Sequence, residues 1–85
     1  NDITEHGRFE VIRLFPNPAT GMVSFPADFL RDIDSVDIID MQGVLVNRIE
    51  PVTGREFDIS GLSNGIYVIL VRTGNTWYQG KVVKE

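Results

Sequence analysis

The sequence predicts an all-β fold, an immunoglobulin-like antiparallel β-sandwich of about seven strands. Short segments rich in β-branched and aromatic residues alternate with turn residues at intervals of roughly ten residues. The most apolar of these segments, residues 66–71, has the composition of a central strand. There is no cysteine, and the single tryptophan, Trp77, lies in the last predicted strand. The Cys–Trp–Cys pattern of true immunoglobulin domains is therefore absent, and the prediction concerns the architecture alone.

Composition limits the class of protein. The chain has 85 residues, enough for one domain with a modest core. Its net charge of −4 provides no basic surface for phosphates, which excludes a nucleic-acid partner. No apolar run approaches the roughly 18–20 residues that cross a bilayer, so we expect a domain that is not membrane-spanning. Without cysteine, neither disulfides nor thiolate zinc sites can stabilise it.

The first part of the chain predicts a tail, two strands and two loops. Residues 1–8 are polar, which indicates a linker or leading tail before a domain at residues 9–85. Residues 9–15 alternate as a strand does. Pro16 and Pro18 end this strand, because proline removes the donors that a sheet needs. Residues 22–25 are the second predicted strand, and residues 27–35, which lack a helical repeat, predict a loop or a single turn.

The middle of the chain predicts three further strands, at residues 36–40, 44–49 and 56–59. Gly43 lies in the turn between the first two of these, where we expect it to take the left-handed conformation. A loop with two glycines, residues 60–65, leads from the third of them to the end of the chain.

The C-terminal region predicts a β-hairpin around which the rest of the chain is organised. Its first strand, residues 66–71, suits a central position with both faces covered. Thr73, Gly74 and Asn75 provide a tight turn, and residues 76–84 return as the last strand. Gly80 inside this strand predicts a bulge or a bend.

Groups that could support catalysis or bind a metal are sparse. The single histidine, His6, lies in the polar tail without a second ligand or a nucleophile beside it. A cluster of four aspartates makes a calcium site conceivable: Asp32, Asp34, Asp37 and Asp40. Their spacing is not that of an EF-hand loop, and local turn bonds or solvent exposure explain Asp28, Asp32 and Asp34 better. Glu50, Glu56 and Asp58 could supply paired carboxylates, although solvated faces explain them better. With no phosphate loop or nucleophile elbow, the sequence predicts no enzyme and no cofactor.

Four short motifs remain. They are FPNPATG at residues 15–21, IDMQGVLV at residues 39–46, LSNGIYV at residues 62–68 and KVVK at residues 81–84. This order closely resembles the C-terminal sorting domain of the type IX (Por) secretion system, type A, in which a YPNP-like turn, a D-x-x-G-x-x-V hairpin, an L-x-x-G-x-Y entry and a terminal K-x-x-K strand recur. The resemblance covers residues 14–85. Phe15 departs from the commoner tyrosine, and an aromatic ring at that position packs equally well.

The resemblance implies that recognition depends on residues within these motifs. The candidates are Pro16, Asn17, Pro18, Gly21, Asp40, Gly43, Leu62, Gly65, Tyr67, Lys81, Val82, Val83 and Lys84. Of these, we expect Leu62, Gly65 and Tyr67 to determine the fold rather than to contact a partner. Gly65 is expected to need a backbone conformation that other residues resist, and Tyr67 is expected to fill the core.

The resemblance also implies a function in secretion. Proteins of this family are cargo of Gram-negative bacteria that enter the periplasm, pass an outer-membrane translocon and reach the cell surface or the medium. A sortase-like cysteine peptidase usually removes the domain. The implied partners are the translocon, the peptidase and an N-terminal cargo domain in the precursor. No N-terminal leader is visible, as expected for a piece of such a precursor, and residues 1–8 would form the linker where cleavage occurs.

Two interpretations of the last strand stay open. The strand, with Lys81 and Lys84, is expected to present an open edge or face, to which a partner could add a strand. The lysines could equally well discourage indiscriminate pairing at that edge.

The alternative from another class is an immunoglobulin-like spacer or a carbohydrate-binding module of a surface protein. Trp77 and Tyr78 could contribute to a sugar platform, which needs exposed aromatic rings. Neighbouring residues of a strand point to opposite faces, however, so these two cannot form one flat platform.

Overall fold

The structure, a computed structural model, describes residues 9–29, 31–50 and 52–85. Within these ranges the chain forms seven strands and no helix. The strands are β1 (Phe9–Val11), β2 (Met22–Ser24), β3 (Ser35–Ile39), β4 (Leu45–Ile49), β5 (Glu56–Asp58), β6 (Gly65–Thr73) and β7 (Thr76–Lys84). The predicted all-β class is confirmed. The tail at residues 1–8, with His6, lies outside the described residues.

The strands form two sheets, as a β-sandwich requires. One sheet has five strands in the order β1-β7-β6-β3-β4, and the other consists of β2 and β5. Four of the five strand pairs are antiparallel, as predicted, whereas β1 runs parallel to β7. The first and last strands are not joined by a hairpin, so no turn dictates their relative direction.

The core lies between the two sheets. Tyr67, Ile69 and Val71 point into it from β6, at the two-residue period of a strand. Val23 of β2 and Phe57 of β5 belong to the same buried cluster. The two-stranded sheet therefore covers one face of the five-stranded sheet.

The opposite face of the five-stranded sheet, which we call the outer face, is not covered within the described residues. Ile66, Val68 and Leu70 of β6 point to this face and are exposed or half-buried. β6 is central, as predicted, but the expectation that both of its faces are covered is wrong. A continuous apolar run does not distinguish one covered face from two.

The first strand is shorter than predicted, because the chain leaves β1 after Val11 and crosses towards β2. Ile12 and Leu14 are buried in the core during this crossing, whereas Phe15 is exposed. A Cβ atom at Gly80 would lie 2.9 Å from the Ile12 carbonyl oxygen and 2.9 Å from Leu14 Cδ1. Gly80 therefore leaves room for the crossing chain. The pairing of β6 with β7 continues through Gly80 without a shift, so the predicted bulge is absent.

A row of four aromatic rings connects the two sheets. Phe57 lies 5.4 Å from Phe25, Phe25 lies 5.7 Å from Phe29, and Phe29 meets Tyr78 edge-on at 4.9 Å between ring centroids. Aromatic pairs of this kind contribute about 0.5–1.5 kcal/mol each beyond the burial of their area. The loop after β2 forms no helix where it is described, as predicted, and its Phe29 fixes it against β7.

Candidate functional site

The pairing register brings the four motifs to one end of the sandwich. Ile39, at the start of the second motif, pairs with Val68 of the third, and Val68 pairs with Lys81 of the fourth. Ala19 of the first motif forms a parallel bridge to Lys84. Motifs that are far apart in sequence therefore meet around the end of β7.

The first motif is fixed to β7 by a side chain. Asn17, between the exposed Pro16 and Pro18, donates from Nδ2 to the Lys81 carbonyl oxygen at 2.9 Å. Its Oδ1 accepts from the Val83 N–H, also at 2.9 Å. A side-chain amide carries one acceptor and one donor group, so it can bond a strand edge as a backbone peptide does. Asn17 therefore occupies the place of a neighbouring strand.

The backbone of Ala19 continues this arrangement to the end of the chain. Its N–H donates to the Val83 carbonyl oxygen at 2.8 Å, and its carbonyl oxygen accepts from the Glu85 N–H at 2.9 Å. Nearer the start of β7, the Ile12 N–H donates to the Gln79 carbonyl oxygen. The edge of β7 opposite β6 is thus occupied along the strand. Of the predicted open edge or face, the structure leaves the outer face open within the described residues, with exposed side chains such as Lys81.

Gly21 ends the first motif with a backbone hydrogen bond to the residue that follows β5. Its carbonyl oxygen accepts from the Ile59 N–H at 2.9 Å, which joins the start of β2 to the residue after β5. Its φ angle is not positive, so its role does not depend on the left-handed region. The bond extends the pairing of the two-stranded sheet by one residue.

The two terminal lysines have different environments. Lys81 points to the outer face and is exposed. Lys84 lies on the core side with Val82 and is only 8% exposed, with its Nζ 3.4 Å from the Glu85 carbonyl oxygen. Val82 is fully buried and Val83 is half-buried. A partner that approaches the outer face can therefore contact the side chain of Lys81, whereas little of Lys84 is exposed on any side.

The second motif forms the turn between β3 and β4. Asp40 Oδ1 accepts from the Gln42 N–H at 2.9 Å and from the Val44 N–H at 3.0 Å. The Gly43 N–H donates to the Asp40 carbonyl oxygen at 3.0 Å, and Gly43 has a φ of 85°. An aspartate at this position bonds the backbone that follows it, and glycine tolerates positive φ without strain. The motif therefore specifies the hairpin turn, and the prediction for Gly43 is confirmed.

The third motif packs the start of β6 against the core. Leu62 is half-buried against the core cluster, and Gly65 has a φ of 156°, which side chains rarely adopt. Tyr67 is 7% exposed, and its hydroxyl donates to the Ser63 carbonyl oxygen at 2.7 Å. The ring fills the core while the hydroxyl holds the preceding loop. These positions agree with the expected roles of Gly65 and Tyr67 as fold determinants.

Two aspartates have structural roles that sequence reasoning did not identify. Asp34 Oδ2 accepts from the Gly74 N–H at 2.8 Å and so holds the turn between β6 and β7 from a distant loop. Asp58 Oδ1 accepts from the Ser60 N–H at 2.8 Å. The hydrogen bonds with Ser60 hold the pKa of the Asp58 carboxyl below its ordinary value. The Asp-x-Ser spacing could have indicated the second contact, but no local signal points to the first.

The aspartates considered for calcium do not form a cluster. Asp37 lies on the outer face and accepts two bonds from Arg48, from Nε to Oδ1 at 2.7 Å and from Nη2 to Oδ2 at 3.0 Å. The hydrogen bond with Asp37 and its charge raise the pKa of Arg48 above its ordinary value. Within residues 9–29, 31–50 and 52–85, no three acidic or histidine side chains lie close enough to hold a metal ion.

The two aromatic residues of the sugar-platform alternative point to opposite faces of β7. Tyr78 is buried beneath Phe29, with their rings edge-on. Trp77 is half-buried on the outer face, where it meets Phe9 edge-on at 6.1 Å between ring centroids. Flat platforms need rings that are exposed side by side. The observed placement does not provide one.

None of the described segments forms a helix that could cross a bilayer. Among curated proteins, none matches the chain. One protein family, described as the secretion system C-terminal sorting domain, matches over residues 13–85. The match begins next to Ile12, where the chain crosses from β1 towards β2, and it includes all four motifs.

Proposed function

Since the chain belongs to the family of type IX secretion C-terminal sorting domains, we propose that it directs its cargo through the outer-membrane translocon and is then removed by a sortase-like peptidase. Membership of the family itself implies a sorting signal, a cargo domain that precedes it in the precursor, and export to the cell surface or the medium. Transit through the periplasm, the translocon contact and the cleavage are the finer parts of the proposal. Such domains are typically non-catalytic, and we propose no enzymatic role.

The observation that carries the proposal is the meeting of the four motifs around the end of β7. Three of them act mainly through backbone geometry: Asn17 bonds the edge of β7, Asp40 shapes a turn, and Gly65 opens β6. A signal that must follow many different cargo proteins cannot depend on the surface of any one of them. The arrangement supports a signal that is carried by the folded domain rather than by a linear peptide.

The proposal places cleavage before the folded domain. β1 begins at Phe9 and is paired with β7, so peptide bonds from Phe9 onwards belong to a sheet that a peptidase would have to open. Backbone at the surface outside such pairing is the preferred substrate of proteases. We therefore propose residues 1–8 as the segment in which the sortase-like peptidase acts.

The test is a fusion of residues 1–85 behind a periplasmic fluorescent reporter in a Gram-negative host that has the type IX system. The reporter should reach the surface or the medium, and the mature product should lack the domain. The matched control is the same fusion in a host from which the translocon has been deleted, where the reporter should stay in the periplasm. Retention of the intact fusion in the competent host would refute sorting, whereas export with the domain still attached would refute only the cleavage.

A further inference from the structure

The edge of the five-stranded sheet opposite β1 is formed by β4. β4 pairs with β3 on one side and has no partner on the other within the described part of the chain. The other strands that leave an edge unpaired there, β1, β2 and β5, have three residues each, whereas β4 has five. An edge of this length presents a row of backbone donors and acceptors that another strand can bond.

The hairpin that contains β4 is also unusually apolar at its surface. Eight large hydrophobic side chains are exposed in the described residues, and four of them belong to this hairpin. These four are Met41, Val44, Leu45 and Val46. Exposed hydrophobic residues that are grouped on one short segment indicate contact with a partner, whereas singly scattered ones are normal at a protein surface.

The charge on this edge is neutralised within the domain. Arg48 is the only charged side chain of β4, and its guanidinium is turned onto β3, where it makes two bonds to Asp37. Edge strands are commonly protected by a lysine, a proline or a bulge. β4 contains neither lysine nor proline, and its bulge is confined to Val46. An uncharged, mainly apolar extended segment fits this edge better than an acidic or a basic one.

We propose that β4 is the docking site for an extended, uncharged and mainly apolar strand of the export machinery, which adds to the five-stranded sheet beyond β4. This inference rests on the proposed function. It also moves the site of strand addition from β7, whose edge Asn17 and Ala19 already occupy, to the opposite side of the sheet.

A second copy of the chain fits this edge less well. Ile38 pairs with Asn47 and Ile39 with Leu45, so the register passes over Val46. A bulge of this kind disfavours regular pairing with an identical bulged edge. A five-residue strand is also only about 17 Å long, and two copies joined along it would bury far less than the roughly 1,000 Å² of a stable interface. A larger partner can place a strand here and complete its interface elsewhere.

The test compares two lysine substitutions at side chains of nearly equal exposure, in the full reporter fusion. Val46→Lys places a charge on the edge of β4, where the exposed fraction of the side chain is 40%. Ile66→Lys is the matched control, because Ile66 is 42% exposed on the outer face of β6, a strand that lies between β3 and β7 and not at an edge of the sheet. Val46→Lys should lower export by about tenfold or more, as expected for a contact at the centre of an interface. Ile66→Lys should leave export within about twofold of the unsubstituted fusion.

Loss of folding is separated from loss of docking by thermal melting of the purified 85-residue variants. Both substitutions are at exposed positions, so both domains should melt within about 2–4 °C of the parent chain. If Val46→Lys melts lower, Leu45→Lys provides a second charge at the same edge. Loss of export in a variant with unchanged melting supports the proposal.

Four outcomes would overturn it. Normal export of stable Val46→Lys and Leu45→Lys variants would refute docking at β4 while leaving the sorting function intact. An equal loss with Ile66→Lys would assign recognition to the outer face rather than to the edge. Concentration-dependent dimers in sedimentation that Val46→Lys abolishes would assign the edge to a second copy. If the unsubstituted fusion stays in the periplasm, the proposed function fails first and this inference with it.

Discussion

The two terminal lysines show what a spacing of three means at the scale of single residues. In a strand, residues three apart point to opposite faces, so Lys81 and Lys84 could be assigned to different faces from the sequence. Which of them faces the core could not, because that depends on the position of the two-stranded sheet. The structure places Lys84 on the core side, where its aliphatic stem is buried as those of long charged side chains often are. The idea that both lysines protect an open edge of β7 loses its basis, since that edge is occupied.

We expect Lys84 to act through its buried stem rather than through its charge. Lys84→Ala should destabilise the domain by about 1–2 kcal/mol, because it removes several buried methylene groups. Lys84→Met, which keeps an unbranched stem of similar length, should recover most of that stability and should be exported normally. Urea denaturation of the purified domain and export of the reporter fusion measure the two effects.

Lys81→Ala is the control for this pair, and it should alter the free energy of unfolding by no more than about 0.5 kcal/mol, as other exposed substitutions do. A Lys84→Met variant that is as stable as the parent but is not exported would contradict the prediction. The export machinery would then have to contact the ammonium group of Lys84.

At the scale of elements, the strands and turns were predictable because their signals are local. The hairpin turn at Gly43 and the central position of β6 follow from residues within a few positions of each other. The order of strands in the sheet was not predictable in this way. Asn17 and Ala19 bond a strand more than sixty residues further along the chain, and no feature of residues 16–21 indicates which edge they will occupy. The sequence could therefore not show that the edge of β7 is occupied while its outer face stays open.

The loop between β5 and β6 gives a prediction about pH. The pKa of Asp58 is lower in the folded domain than its ordinary value of 3.8, because the carboxylate accepts bonds from Ser60. Its contribution to stability is therefore complete above the ordinary value and is lost as the pH falls through the lower, folded-state pKa. Asp58→Asn keeps an acceptor oxygen but cannot titrate. The parent domain should be the more stable of the two at about pH 7, and the difference should shrink towards about pH 3.

Urea denaturation at both pH values measures this difference. Asp32→Asn is the control, since Asp32 is an exposed aspartate outside the loop that Asp58 and Ser60 stabilise. This variant should follow the parent domain at both pH values. A stability difference between the parent and Asp58→Asn that stays constant across the range would contradict a role for the Asp58 charge.

At the scale of the whole molecule, the contacts of residues 17 and 19 join the beginning of the matched family region to its end. The β6–β7 hairpin could form from local turn signals alone. The edge of β7 opposite β6, however, gains its hydrogen-bond partners near the C-terminus only when the first motif packs against it. The order of the four motifs was visible in the sequence, and the family resemblance implied that they act together in sorting. That they meet around the end of β7 could be seen only from the structure. The pairing of β3 with β6 and of β6 with β7 determines which motif residues lie side by side.

Substitution of Asn17 tests how much its side chain stabilises the contact between the first motif and β7. Asn17→Ala removes two hydrogen bonds to β7 that join residues 64 and 66 positions apart in sequence. At about 0.5–1.5 kcal/mol for each bond, the free energy of unfolding should fall by roughly 1–3 kcal/mol. Asn64→Ala is the matched control: Asn64 is exposed, and its side chain makes no hydrogen bond within the described residues, so it should change stability by no more than about 0.5 kcal/mol. Urea denaturation compares the two, and equal small effects would mean that Ala19 and the strand pairings close the edge of β7 without the Asn17 side chain.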